Sequence, residues 1–250
     1  MRIRLRFAKY DTMKYIGHLD MMRYFQKVFR RALVPMKYSE GFNPHPVMSF
    51  ASPLGVGVTS EGEYMDMELT KDVDLKELVD AVNKEMVEGV EVLSAIELGN
   101  NDKKAMAAVS CADYIIYFKK NAKDFSAFDI SKEVKNFYDS SDITVIKKTK
   151  KGEKEMDIKP FIFAFEGDCF SDSAFLKDLR ISVKNEEFCC EDEDPVFYLK
   201  VSTGSNDNIK PELVFQAFYE FLGMENNYDI AIHRLNLYQG EAPNFKPLGE

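Results

Sequence analysis

Hydrophobic and polar residues alternate with a period of two at the start of the chain, where Ile3, Leu5 and Phe7 interleave with Arg2, Arg4 and Arg6. Successive side chains of a strand point to opposite faces, so Met1–Tyr10 is predicted to be a strand with one buried face. After a short turn at Asp11–Met13 the period changes. Leu19, Met22, Phe25, Phe29 and Leu33 recur at spacings of three and four. That spacing predicts an amphipathic helix with those five residues as its core stripe, and with Arg23, Lys27, Arg30 and Arg31 sharing another face. Asp20 in the first turn and Arg30-Arg31 in the last suit the helix dipole, and Pro35 stops the helix.

From Tyr38 to Ser60 the periodicity lapses, apart from a short strand at Val47–Ala51. The segment holds Pro44, Pro46 and Pro53, the glycines Gly41, Gly55 and Gly57, and the aromatics Phe42 and Phe50. Loops of this length inside compact domains usually carry function, and the prolines flanking His45 hold it in extended geometry. Alternation resumes at Glu63–Thr70, a strand. A helix follows on Leu75, Leu78, Val79, Val82 and Met86, and a strand at Val90–Leu98. Strand, helix, short strand, strand, helix, strand is the order of a ferredoxin-like split βαβ domain.

The second half follows a similar plan. Strands are expected at Tyr114–Lys119 and Ile143–Lys148, around a helix at Phe125–Tyr138. Beyond a Lys-rich turn (KKTKKGEKE, 147–155), added elements are expected at Asp157–Ala164 and Phe175–Val183. Val196–Ser202 reads as a strand, Pro211–Leu222 as a helix opening on proline, and Tyr228–Leu237 as a final strand. The fold class expected is therefore α+β, with two tandem ferredoxin-like domains, the second carrying extra strands. The domains are placed at residues 1–99 and 109–240, joined by the turn-rich Gly99–Ala108, with 241–250 as a tail.

Charge adds a local feature. The chain carries a net −9, yet residues 1–50 hold ten Lys or Arg against Asp11, Asp20 and Glu40, a balance of +7. A polyanion would be repelled by the whole and attracted to one face. The acidic run Glu186–Asp194 reads as a solvated loop. Four cysteines, Cys111, Cys169, Cys189 and Cys190, form no CxxC pair, and reduced thiols in a cytoplasmic protein are expected. No run is long and apolar enough to span a membrane, and no signal peptide is expected.

Three groups of residues could carry chemistry. Arg23, Lys27, Arg30 and Arg31 could contact RNA phosphates, with Tyr64, Tyr114, Tyr117 and Tyr198 as stacking candidates, or could simply form a solvated helix face. His18 and His45, with Asp20 as orienter, could form a general acid/base pair if they converge, or could only hold the loop in shape. Tyr38, Ser39, Gly41, Phe42, Asn43 and His45 could contact a ligand or a partner. The glycines of PLGVGVTSEG match neither phosphate-binding glycine motif and read as a turn. No metal site is expected, because two His and one Asp without a further ligand are too few.

Gly17-His18-Leu19-Asp20, the basic helix, Gly41-Phe42-Asn43-Pro44-His45-Pro46 and the Gly-rich entry to the strand holding Glu63-Tyr64 together resemble the bacterial radical-SAM-linked domain of unknown function. That domain's first motif usually reads SHLD, so Gly17 stands where a serine would. The later stretches DIKPFI and IHRLNLY are also similar. The resemblance implies a B12-binding radical-SAM enzyme as partner, with the iron–sulfur cluster, SAM and cobalamin in that partner. This chain lacks CxxxCxxC and cannot ligate the radical-SAM cluster. The expected function is an accessory or substrate-handling protein, RNA-binding and linked to RNA modification or ribosome-related processing. Two alternatives remain open: a stand-alone RNA-processing enzyme using His18 and His45, and a protein-binding adaptor that docks the radical-SAM enzyme.

Overall fold

A computed structural model describes residues 1–118, 125, 128–149, 152–169, 194–204, 207–225 and 230–250. The architecture is mixed α+β with mostly antiparallel strands, divided into two compact units: 1–110 with 234–250, and 111–233. The expected element at Phe175–Val183, most of the acidic run Glu186–Asp194, and Cys189-Cys190 lie outside the described residues.

The first unit opens with β1 (Arg2–Lys9) and continues through α1 (His18–Arg31), the short β2 (Met48–Phe50), β3 (Thr59–Glu68), α2 (Leu75–Lys84), β4 (Val90–Glu97) and a single turn, α3 (Ala105–Ala108). β1 lies between β4 and β3, antiparallel to both, and β2 pairs with the far end of β3. The sequence order of these elements agrees with the alternation that predicted them. Ile3, Leu5, Phe7, Met65 and Met67 from one sheet face pack with Met21, Phe25, Val28 and Phe29 of α1. Phe7, Phe25 and Phe50 meet edge to face at 4.9–5.8 Å.

The buried stripe of α1 is turned from the expected one. Leu19 is 61% and Leu33 86% exposed, whereas Met21 and Val28 are buried. At 100° per residue, Leu19 lies about 120° around the helix from Phe25, and His18 lies on the inward side instead. Leu33 follows the helix end at a φ of +55° and so belongs to no helical face.

The other face of the sheet is not simply solvated. Arg4 is buried and forms a two-pronged pair with Asp66, Nε to Oδ1 at 2.6 Å and Nη2 to Oδ2 at 3.1 Å. It also donates to the carbonyls of Leu248 and Lys103, at 2.8 and 2.9 Å. Asp66 in turn accepts from the Ala105 amide at 2.7 Å. The residues expected as a tail are therefore part of this unit: β11 (Lys246–Pro247) pairs with Tyr238 and Gln239, and Leu248 is fully buried.

The second unit runs through β5 (Val109–Phe118, from Cys111 on), α4 (Ile130–Tyr138), the hairpin β6 (Thr144–Thr149) and β7 (Gly152–Asp157), β8 (Ile162–Cys169), β9 (Pro195–Ser202), α5 (Pro211–Leu222) and the first residues of β10 (Ile230–Gln239). β9 lies between β5 and β8, antiparallel to both. Phe137, Phe165, Phe197, Phe215 and Phe218 build its core, with neighbouring centroids 5.0–6.3 Å apart. Tyr64, Tyr114 and Tyr117, candidates for base stacking, are buried; Tyr198 donates its hydroxyl to Asp113. Burial pushes the Cys111 thiol up to about 12, which keeps it protonated and unreactive.

Two stability predictions follow from this packing. A Cβ at Gly62 would run into the Leu235 carbonyl oxygen and the Asn236 Cα, so Gly62→Ala should cost about 2–3 kcal/mol in denaturant unfolding. His233 is buried, and desolvation lowers its pKa from 6.5 to about 4. Between these values the unfolded chain binds a proton that the folded one does not, so stability falls as pH drops through 6.5 and levels off below about 4. His233→Gln should remove about 2 kcal/mol of the stability difference between pH 7 and pH 5, read from urea titrations at the two pH values.

Candidate functional site

The Gly41–Pro46 motif is a closed hairpin. Tyr38 and Pro46 form an antiparallel bridge, the Ser39 amide donates to the His45 carbonyl at 2.8 Å, and the Val47 amide to the Lys37 carbonyl at 2.8 Å. Side chains lock the same stem. The His45 amide donates to Ser39 Oγ at 3.1 Å, and that hydroxyl lies 2.9 Å from His45 Nδ1. Nδ1 also lies 3.4 Å from the Asn43 carbonyl, so the stem holds this edge of the ring and leaves Nε2 outside these contacts. Gly41, at a φ of +114°, turns the chain in a region that favours glycine, and Phe42 stands at the tip fully exposed, at 112%.

His18 and His45 border two different spaces among the described residues. His45 borders a cleft of about 270 Å³ lined by Arg2, Ser39, Val47, Ser49, Glu68 and Lys104, among others. His18 faces inward beside Phe50, edge to face at 5.1 Å, and borders a space of about 20 Å³ with Lys9, Ser52, Leu54 and Glu63. That volume holds about one water molecule. Asp20 does not orient His18; it is exposed and pairs with Arg23 at 3.2 Å.

Most of the basic charge near the N-terminus has an internal partner. Arg2 donates to the carbonyls of Gly99 and Asp102, Arg6 to that of Glu61, and Lys9 to those of Ile16 and Lys14. Arg31 pairs with Glu85 at 2.9 Å and also donates to its carbonyl. Lys37 pairs with Glu68 at 2.8 Å. That hydrogen bond holds the Glu68 carboxyl below the usual carboxylate range and raises Lys37. Of the four expected phosphate contacts, Arg23 has only a surface pair. Lys27 and Arg30 are exposed and have no ion-pair partner among the described residues.

A buried polar cluster escaped the sequence reading. Glu63 accepts from Arg234 Nη1 at 3.1 and 3.2 Å and from Ser60 Oγ at 2.7 Å. Lys9 lies near this carboxylate; burial lowers its pKa, and Glu63 partly offsets that. The only signal was Arg234 set between the apolar Ala231 and Ile232 on one side and the apolar Leu235 and Leu237 on the other side of its strand. Among the described residues no group of three or more His, Cys, Asp or Glu could hold a metal ion.

With both motifs placed on one unit, the comparison with known families is direct. The chain belongs to a family of uncharacterized proteins conserved in bacteria (DUF2344), whose profile matches residues 2–211 and so takes in GHLD and GFNPHP. No curated protein matches the chain.

The stem bonds generate a prediction. Ser39→Ala removes the acceptor of the His45 amide and the partner of Nδ1, which should cost about 1 kcal/mol locally. Hydrogen exchange at Ser39 and His45 should then speed up about fivefold, with exchange in β1 unchanged.

Proposed function

We propose that this protein is an accessory, substrate-handling partner of a B12-binding radical-SAM enzyme, and that it docks on that enzyme through the Gly41–Pro46 hairpin. One observation carries the reading: a fully exposed phenylalanine at the tip of a hairpin whose stem is fixed by backbone and side-chain hydrogen bonds. Burying a phenylalanine side chain is worth about 2–3 kcal/mol, and aromatic anchors entering a partner's pocket dominate many interfaces. A rigid stem lowers the ordering cost of such docking. The identity of the partner rests on the resemblance of GHLD and GFNPHP to the radical-SAM-linked domain. On this reading the iron–sulfur cluster, SAM and cobalamin belong to the enzyme.

The strand order supports a ferredoxin-like reading of the scaffold. In the first unit β4-β1-β3 continues to β2, and in the second β5, α4, β8, β9, α5 and β10 repeat the element order with the β6–β7 hairpin inserted. RNA binding is a second reading, favoured by Lys27 and Arg30, which point outward without ion-pair partners among the described residues, beside exposed Arg23. Separate pockets for His18 and His45 give no support to a two-histidine RNA-processing enzyme.

Phe42→Ala should weaken co-purification with the radical-SAM enzyme by tenfold or more while leaving thermal stability unchanged, and nuclease treatment should make no difference. Undiminished capture by Phe42→Ala would sink the docking proposal. If α1 does bind single-stranded RNA, its three cations predict a log-affinity against log-salt slope of about −2, lost when Arg23, Lys27 and Arg30 are changed to Glu.

A further inference from the structure

The cleft beside His45 has its own chemistry, independent of the hairpin tip. Its walls come from several parts of the first unit: Arg2 of β1, Met48 and Ser49 of β2, Asp66–Glu68 of β3, and Leu98 and Lys104 beyond β4. Asp66 is neutralised by Arg4 and contributes no free charge. Glu68 faces three cations: Lys37 bonds to it, and Arg2 and Lys104 both act on its carboxylate. The lining cations Arg2 and Lys104 thus face two carboxylates, Asp66 and Glu68, that Arg4 and Lys37 already pair from outside the cleft, on a chain whose net charge is −9.

Several donors remain available there. Lys104 is exposed and has no ion-pair partner among the described residues. The Ser49 hydroxyl has no hydrogen-bond partner among them, and His45 Nε2 has none either, the Nδ1 edge being held by Ser39 and the Asn43 carbonyl. Pro46, Val47, Met48, Met67 and Leu98 supply the apolar lining. About 270 Å³ lies near the lower end of small-molecule sites, roughly 300–1,000 Å³. A set of cationic and hydroxyl donors on an apolar bed matches an anion with several acceptor oxygens and a compact apolar or planar body.

We propose that this cleft binds a compact organic phosphate monoester, with its phosphate toward Lys104, Ser49 and His45 and its body on the Val47–Met48 and Leu98 side chains. A phosphate offers three terminal oxygens, which match this number of donors better than the two of a carboxylate. The proposal differs from docking at Phe42, because Phe42 is not among the cleft's lining residues. It does not depend on the radical-SAM reading.

Titration calorimetry of the full chain with phenyl phosphate, AMP, inorganic phosphate and benzoate tests it. Saturable binding of phenyl phosphate or AMP is expected, at least about tenfold tighter than inorganic phosphate and benzoate. Lys104→Glu should abolish it and Ser49→Ala weaken it severalfold, both with unchanged unfolding midpoints. Phe42→Ala and Lys27→Glu should bind as the parent does. Absence of saturable binding by both organic phosphates, equal binding of benzoate, or full binding by Lys104→Glu would each overturn the proposal. Loss of partner capture in Phe42→Ala with intact phosphate binding separates the failure of one reading from the failure of the other.

Discussion

The buried pair of Arg4 and Asp66 is the constraint on which the first unit depends. It joins two neighbouring strands, reaches the carbonyls of Lys103 and Leu248, and receives the Ala105 amide. An arginine this deep is stable only with its guanidinium fully engaged; removing one partner of such a pair typically costs about 3–5 kcal/mol. The pair therefore ties the segment after β4 and the last residues of the chain to the centre of the sheet. Lys104 owes its place beside the cleft to this anchoring, since Lys103 and Ala105 on either side of it bond to Arg4 and Asp66.

The same demand for partners explains what became of the basic N-terminal fifth. A balance of +7 over fifty residues looks, in one dimension, like an anion-binding face. In three dimensions Arg2, Arg4, Arg6, Arg31 and Lys37 each meet a carbonyl or carboxylate from a distant part of the chain, and Lys9 meets the nearby carbonyls of Lys14 and Ile16. The outward cations of α1, and Lys104 of the cleft, are what remains for a ligand. The proposed docking and phosphate binding rest instead on two small features, the aromatic hairpin tip and the cleft beside His45.

Much of the scaffold was legible because strand and helix periods differ. The alternation of Ile3, Leu5 and Phe7 with arginines marked β1 and its core face correctly, and Pro35, Pro211 and the glycine-rich turns marked the limits of elements. Spacing alone did not set the rotation of α1. Leu19 fits a stripe with Phe25 only loosely, and the presence of His18 on the inward side depends on Phe50 arriving from a distant loop. Pairings between remote residues were not legible at all. Glu63 with Arg234, and Arg4 with Leu248, depend on strand neighbours far apart in sequence, and no local pattern encodes them. The hairpin was legible as a motif, while its closed stem and outward Phe42 were not.

Docking through that tip is the central claim. The most direct measurement places a photo-crosslinking amino acid at position 42, or at position 27 of the outer α1 face, in the presence of both the radical-SAM enzyme and cellular RNA. Crosslinking from position 42 to the enzyme, with little from position 27, is the result the account predicts. Efficient crosslinking of the enzyme from position 27 with none from position 42 would contradict it.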